Sequence, residues 1–415
     1  MRSPRILSVV TLVLVSRAAW PQGDPLGPEF RVNTYLTGPQ SQASVAADPA
    51  GNFVIVWHSE QEAGPNHGVF GQRYASSGVP LGPQFHVNTY TTLNQVYPSV
   101  AAAPSGDFVV VWVSWQDGSG YGVFGRRFGS SGAPLTNEFR VNTYTTSAQL
   151  YPSVATDGSG NFIVVWASQD GSGLGIAGQR YASSGAPLGS EFRINTFTTD
   201  NQLTPALAAD AAGNFVVVWT SQFQDELYGG IFGQRYASSG APLGPEFRVN
   251  TSTMNDQYGP AVASDPTGSF VVAWAGKYQD GSDGGIFAQR YVSSGAPIGA
   301  EFRVNTYTTN NQGSPSVAAD SAGNFVVVWQ SLTQDGSGEG VFGQRYASSG
   351  APLGSEFQVN SYTTNSQLSS SVASDPGGDF VIAWSSTFQD GSSLGVFGQR
   401  YNMILPVELM HFRVE

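Results

Sequence analysis

The 415-residue chain has no cysteine, a single lysine (Lys277) and only 12% charged residues. Without cysteine there are no disulfides, no thiolate nucleophile and no cysteine-ligated zinc. A chain this long buries enough core to stand without such staples. The scarcity of cations excludes a nucleic-acid groove, because displacing counterions from a phosphate backbone takes clustered Lys and Arg. The balance is acidic: 18 basic against 30 acidic residues, a formal charge of −12. Long hydrophobic runs are also missing, with one exception. Arg2 and Arg5 precede an apolar run from Ile6 to Val15, followed by Ser16, Ala18, Ala19 and Pro21. The run is too short to cross a bilayer and has the layout of a secretory signal peptide, assigned to residues 1–19. Removing Arg2, Arg5 and Arg17 with it leaves 15 basic residues against 30 acidic ones. The expectation is a monomeric protein, secreted or at the cell surface, with no membrane span after signal removal and no nucleic-acid partner.

What the chain does have is glycine (51 residues), proline (24) and 12% aromatics. This composition suits many short strands joined by tight turns. A repeat organises them. The Trp closing "NFVVVW" recurs at Trp57, Trp112, Trp166, Trp219, Trp274, Trp329 and Trp384, at spacings of 53 to 55 residues. Seven copies at so regular a period mean one repeat architecture. Each copy reads as four strands, typified by "SVAAD" (Ser316–Asp320), "NFVVVW", "GVFGQRY" and "EFRVN". The second is apolar on both faces and must be buried on both. A four-stranded sheet buried on both faces and repeated seven times is a blade, so the fold class is all-β: a seven-bladed β-propeller over residues 29–401, with four antiparallel strands per blade. A tail, residues 402–415, follows. The chain starts with an outer strand, Glu29–Asn33, and blade seven lacks its own. The N-terminal strand is therefore expected to close the ring, in competition with His411–Val414, where Phe412 lies in register with Phe357.

The stretch "SVAADSAGNFVVVW" resembles the inner hairpin of NHL-type and related secreted bacterial β-propeller repeats. That resemblance implies a small-residue strand along the axis and a D-x-x-G-N turn leading into the second strand. It covers residues 29 to about 401, nearly the whole mature chain, and speaks to fold, since propellers host many unrelated activities. "LPVEL" near the C-terminus is similar to the segment that precedes C-terminal sorting modules in exported proteins of some Gram-negative bacteria. No such module follows it in the sequence.

Alternating strands place two kinds of loop on each end of the ring. One end is monotonous, with Gly51, Gly106, Gly160, Gly213, Gly268, Gly323 and Gly378 recurring in its turns. The other varies from blade to blade, and binding concentrates on varied loops held by a rigid scaffold. The varied loops carry Trp115, Tyr121, Phe223, Tyr228, Tyr278 and Phe388. Flat apolar faces beside amides and carboxylates are what a carbohydrate or peptide site uses, so these six are the ligand-binding candidates; packing as loop lids is the competing reading. Asp117, Asp170, Asp225, Asp280, Asp335 and Asp390 supply mostly one carboxylate per loop, which suits a hairpin corner better than calcium. Asp280 and Asp283 are the best calcium candidates, and no cofactor is otherwise expected. His58 and His67 share a loop but show no carboxylate partner in the sequence for a metal site. Arg73, Arg127, Arg180, Arg235, Arg290, Arg345 and Arg400 recur on every third strand as structural forks. The repeated Asn–Gln pairs of the blade-to-blade loops, such as Asn360 and Gln367, are expected to satisfy buried backbone. Catalysis needs an asymmetric set of groups, and none is evident, so no catalytic residue is assigned. The expected function is non-enzymatic recognition or adhesion through the variable face. The alternatives are a sialidase-like glycan-processing enzyme and a purely structural cell-surface module.

Overall fold

The computed structural model describes residues 25–60, 66–225, 227–391 and 393–402. Over these the chain forms seven four-stranded sheets arranged as a propeller. Blade one shows the plan. Its strands, Gln40–Ala47, Phe53–Ser59, Gly68–Tyr74 and Phe85–His86, pair in chain order from axis to rim, each antiparallel to the next. Among the described residues no helix is long and apolar enough to cross a membrane.

The second strand explains why blades need one another. Phe53–Ser59 is buried along its whole length. Phe53, Ile55 and Trp57 pack with Val381 and Ala383 of blade seven. Val54 and Val56 pack with Val110 and Trp112 of blade two. Each of the seven cores thus lies between two blades rather than inside one. All seven repeat tryptophans are fully buried, and burying each such side chain contributes roughly 2–3 kcal/mol. An isolated blade would expose both faces of this strand.

The N-terminal strand closes the ring. Phe30 and Arg31 pair with Gly398 and Phe397 of blade seven, and the Val32 amide donates to the Val396 carbonyl at 2.8 Å. The Phe30 ring lies 5.3 Å from that of Tyr74 in blade one. The Glu29 carboxylate accepts from the amide and hydroxyl of Ser361 at 2.7 and 2.8 Å. The signal peptide, "LPVEL" and the competing segment His411–Val414 lie outside the described residues.

One glycine is fixed by this closure. A Cβ on Gly398 would stand 2.7 Å from Cζ of Phe30. Blade five carries Ala288 at the same position, opposite Phe302, so one methyl group is accommodated there. A branched side chain is not expected to fit. Gly398→Val should destabilise the protein by about 2 kcal/mol through overpacking, and Gly398→Ala by much less. Urea denaturation of the two variants checks this; equal midpoints would contradict it.

Candidate functional site

The repeated polar residues are consumed in holding the loops. In blade six, Asn360 Oδ1 accepts the Val341 amide at 2.7 Å, and its Nδ2 reaches Gln367 Oε1 and Asp335 Oδ2, both at 3.0 Å. Asp335 Oδ1 accepts the Ser337 amide at 3.3 Å. Asp335 is therefore a hairpin corner latched to the next loop. Asp280 repeats the pattern, accepting from the Ser282 amide and from Asn305 Nδ2, both at 3.1 Å. Its calcium-site neighbour Asp283 engages through the backbone, its carbonyl accepting the Tyr278 amide at 2.6 Å. Among the described residues no group of three or more His, Asp or Glu side chains converges to hold a metal.

The arginines tie blade to blade at the invariant end. Arg180 donates to the Ser238 carbonyl of the following blade at 2.6 Å, and Arg400 to Ser77 at 2.6 Å. Arg73 reaches Ser131 and Arg235 reaches Ser293 and Ser294 in the same manner. The sequence reading placed such forks between strands; they act between blades. Arg345 differs, being fully buried with its guanidinium 5.8 Å above the Phe357 ring.

The variable end is unusual in its backbone. Among the described residues, every non-glycine with positive φ falls at one of three repeat positions at this end. One is the loop residue two before the repeated Gln. A second is the bulge in each first strand, where pairing register slips, as between Ser41 and Ser44; a bulge frees its extra residue from the ladder. The third starts the hairpin loop of blades four to seven. Five of these residues are aromatic: Tyr97 and Tyr151 (both φ 54°), Phe223 (59°), Tyr278 (58°) and Phe388 (62°). All five are exposed, by 40% to 58%. A bulky side chain in left-handed backbone costs on the order of 1–2 kcal/mol, and exposing an aromatic forfeits its burial. The left-handed backbone recurs at these positions whatever residue occupies them, so the fold imposes it; what the fold does not require is five exposed aromatics there in place of the Gln, Thr, Gly or Ser of sister blades.

The bulge positions ring the axial mouth as Gln42, Tyr97, Tyr151, Thr204, Gly259, Ser314 and Ser369, and the ring is asymmetric. Tyr97 and Tyr151 stand side by side with centroids 6.2 Å apart. His58 meets Tyr97 edge-on at 6.1 Å and His67 at 5.1 Å. His58 Nε2 is 2.9 Å from the Ser41 hydroxyl. Glu60 Oε1 lies 3.7 Å from His67 Nε2, so the histidine pair does have a carboxylate neighbour that its spacing in the sequence did not reveal. The other five positions are smaller or polar, with Gln42 and Thr204 flanking the tyrosines and Gly259, Ser314 and Ser369 lying across the mouth. Gln42 Nε2 donates to the Ser369 hydroxyl at 3.1 Å, Thr204 and Thr220 hydroxyls are 3.1 Å apart, and the space beside Gly259 is open. An aromatic pair flanked by an amide and a hydroxyl and facing further hydroxyls is suited to a sugar, which has an apolar face and a polar edge.

Burial, with His67 nearby, pushes His58 from its ordinary 6.5 down to about 3. The unfolded chain binds that proton near pH 6.5 and the folded one does not until about pH 3. Stability from this group is therefore intact above pH 6.5 and falls with pH below it, by about 1.4 kcal/mol per unit. His58→Val, which installs the residue of blade two (Val113), should flatten this acid slope in urea titrations between pH 7 and 4. An unchanged slope would refute the neutral buried imidazole.

The six aromatics expected from the sequence all lie at this end but do not form one site. Trp115 and Tyr121 meet edge-on at 4.7 Å in blade two. Phe223 and Tyr228 share blade four, where the Phe223 amide donates to the Tyr228 carbonyl at 3.1 Å. Tyr278 lies in blade five beneath Lys277 Nζ at 5.2 Å, and Phe388 in blade seven. They surround the axial mouth as a broken rim. Tyr97 and Tyr151 were missed because first strands read as small-residue lining. The available signal was variation at the second and third positions of that strand, which run Ser41 to Tyr258 to Gly313 and Gln42 to Tyr97 to Gly259 while its later residues stay small.

The invariant end holds clefts between blades, of about 300 Å³ between blades three and four and 250 Å³ between four and five. A pit of about 280 Å³ lies on the axis at the same end, lined by Asp48, Asp157, Asp210, Asp265, Asp320 and Asp375. Their carboxylates serve their own turns: Asp157 Oδ1 accepts the Ser159 and Asn161 amides at 2.8 and 2.9 Å, and Oδ2 accepts Asn161 Nδ2 at 2.8 Å.

No protein-family model matches the chain, and no curated protein sequence does either. Solved structures match it in fold. A protein of unknown function from Dyadobacter fermentans aligns with a TM-score of 0.58 and 9% identity, over 93% of this chain and 100% of that one. The polysaccharide lyase Uly1 aligns with a TM-score of 0.56 and 8% identity, over 92% and 100%. An α-L-arabinanase of Penicillium chrysogenum, solved with arabinobiose, aligns with a TM-score of 0.52 and 12% identity, over 91% and 99%. Identities this low establish the propeller and nothing finer.

Proposed function

We propose that this propeller is an exported recognition module that binds carbohydrate at its variable end, with Tyr97 and Tyr151 at the centre and Trp115, Tyr121, Phe223, Tyr228, Tyr278 and Phe388 as a surrounding rim. The observation that carries the reading is the set of five exposed aromatics held in left-handed backbone on that one face. The repeat sets the left-handed backbone, which Gln42, Thr204 and Ser314 share, and filling such positions with bulky exposed rings adds a cost that packing does not demand and that points to a site. Two of the structural neighbours named above are a polysaccharide lyase and an arabinanase, and a carbohydrate ligand agrees with them. Binding without turnover is favoured because four of the repeated arginines are spent on carbonyls at the opposite end. A sialidase-like mechanism would need them converging on the axis. Residues 1–19 would direct the protein out of the cell.

A glycan array probed with the full chain, together with a panel of fluorogenic glycosides, tests this. The expected result is selective array binding and no glycoside turnover. Turnover lost on changing Glu60 or His58 would instead establish the enzyme.

A further inference from the structure

We propose that the glycan bound at the variable end is uncharged: a neutral hexose or pentose chain rather than a uronate, sialylated or sulfated one. This rests on the carbohydrate reading and narrows it by the placement of the cations.

A carboxylate or sulfate on a sugar is recognised by cations, most effectively by the planar fork of Arg. The described arginines lie elsewhere. Those that end the third strands sit at the invariant end, where Arg73, Arg180, Arg235 and Arg400 donate to backbone carbonyls of the next blade. Those of the fourth strands are exposed on the rim, outside the axial mouth; Arg248, which does reach a variable loop, has its charge met there by Asp225 at 3.3 Å. Arg126 donates to the Val87 carbonyl at 2.9 Å. Among the described residues of the variable loops the one Lys or Arg is Lys277, and it lies over the Tyr278 ring. His58 is kept neutral by burial, and His67 has Glu60 beside it.

The anionic groups at this end are more numerous. Glu60, Asp200, Asp256, Asp283 and Glu339 lie in its loops besides the hairpin-corner aspartates, and the whole chain carries −12. An acidic polysaccharide would approach a face of its own sign. A neutral sugar meets what the mouth does offer, the two Tyr rings and the hydroxyls of Thr204, Ser314 and Ser369.

The test is calorimetric titration of the full chain with matched neutral, uronate and sulfated oligosaccharides, at low and high salt. The expected result is binding of a neutral member with affinity unchanged within about two-fold by salt, and at least ten-fold weaker binding of its acidic counterparts. Tighter binding of an acidic member, weakening with salt and abolished by Lys277→Ala, would overturn the inference while leaving the carbohydrate site standing. Absence of binding by all three classes would overturn the carbohydrate reading and the inference with it.

Discussion

The double variant Tyr97→Gly/Tyr151→Gly is expected to lose glycan binding by 100-fold or more while melting no lower than the parent protein. Aromatic anchors at the centre of a site are typically worth about 1.5–2 kcal/mol each, ten- to thirty-fold in affinity. Ordinary loss of two rings that pack on each other would also lower stability. Here the sign should differ. Both residues have φ of 54°, a conformation that costs a bulky side chain on the order of 1–2 kcal/mol and glycine almost nothing. Blade five already carries Gly259 at this place, also at positive φ (60°), so the scaffold accepts the change. Relief of strain and loss of ring packing should roughly cancel or favour the variant, a stability gain at the cost of function. Calorimetric binding and thermal melting separate the two effects. A variant that melts well below the parent yet binds as tightly would identify the tyrosines as structural lids.

Removing Glu29–Asn33 is expected to be the most damaging change to the fold. It deletes Val32 and Asn33, both fully buried, the Phe30 ring over Gly398, and the Asn33 Oδ1 acceptor of the Val396 amide at 2.7 Å. Loss of one such ring alone costs about 3 kcal/mol, and the total should exceed about 5 kcal/mol, a large share of a protein's stability. The third strand of blade seven, Leu394–Tyr401, would become an open edge and a template for pairing with other chains. Urea denaturation should show a large drop in midpoint, and gel filtration should show association. An unchanged midpoint in a monomer would mean that the competing segment around Phe412 takes the vacant slot.

The architecture was legible because its determinants repeat. A Trp every 53 to 55 residues and a second strand apolar on both faces leave few other ways to bury the chain. The outer strand missing from blade seven pointed to the N-terminus. Repetition also separated Asp335 and its sister aspartates from ligands, since residues equal in every blade are better explained by hairpin corners.

The site was half legible for the same reason. The rim aromatics stand out because they interrupt a repeat. Tyr97 and Tyr151 stand out less, because they sit in a strand whose later residues repeat as small axial lining and whose second position, from Ser41 to Tyr258, varies beside them. The bulge that frees them shifts pairing by one residue, and nothing in "QVYPSV" or "QLYPSV" marks a tyrosine as left-handed. The pairing of Glu60 with His67 spans a hairpin loop whose path is not written in residue spacing. Backbone conformation, rather than residue type, was the missing information.

The most direct test of the account is a crystal structure of the protein with the tightest-binding glycan from the array. The sugar should lie over the axial mouth at the variable end, stacked on Tyr97 and Tyr151, with its hydroxyls toward Thr204, Ser314 or Ser369. A sugar seated instead in the clefts of the invariant end, such as that lined by Asp157, Arg180 and Ser238 between blades three and four, would contradict it.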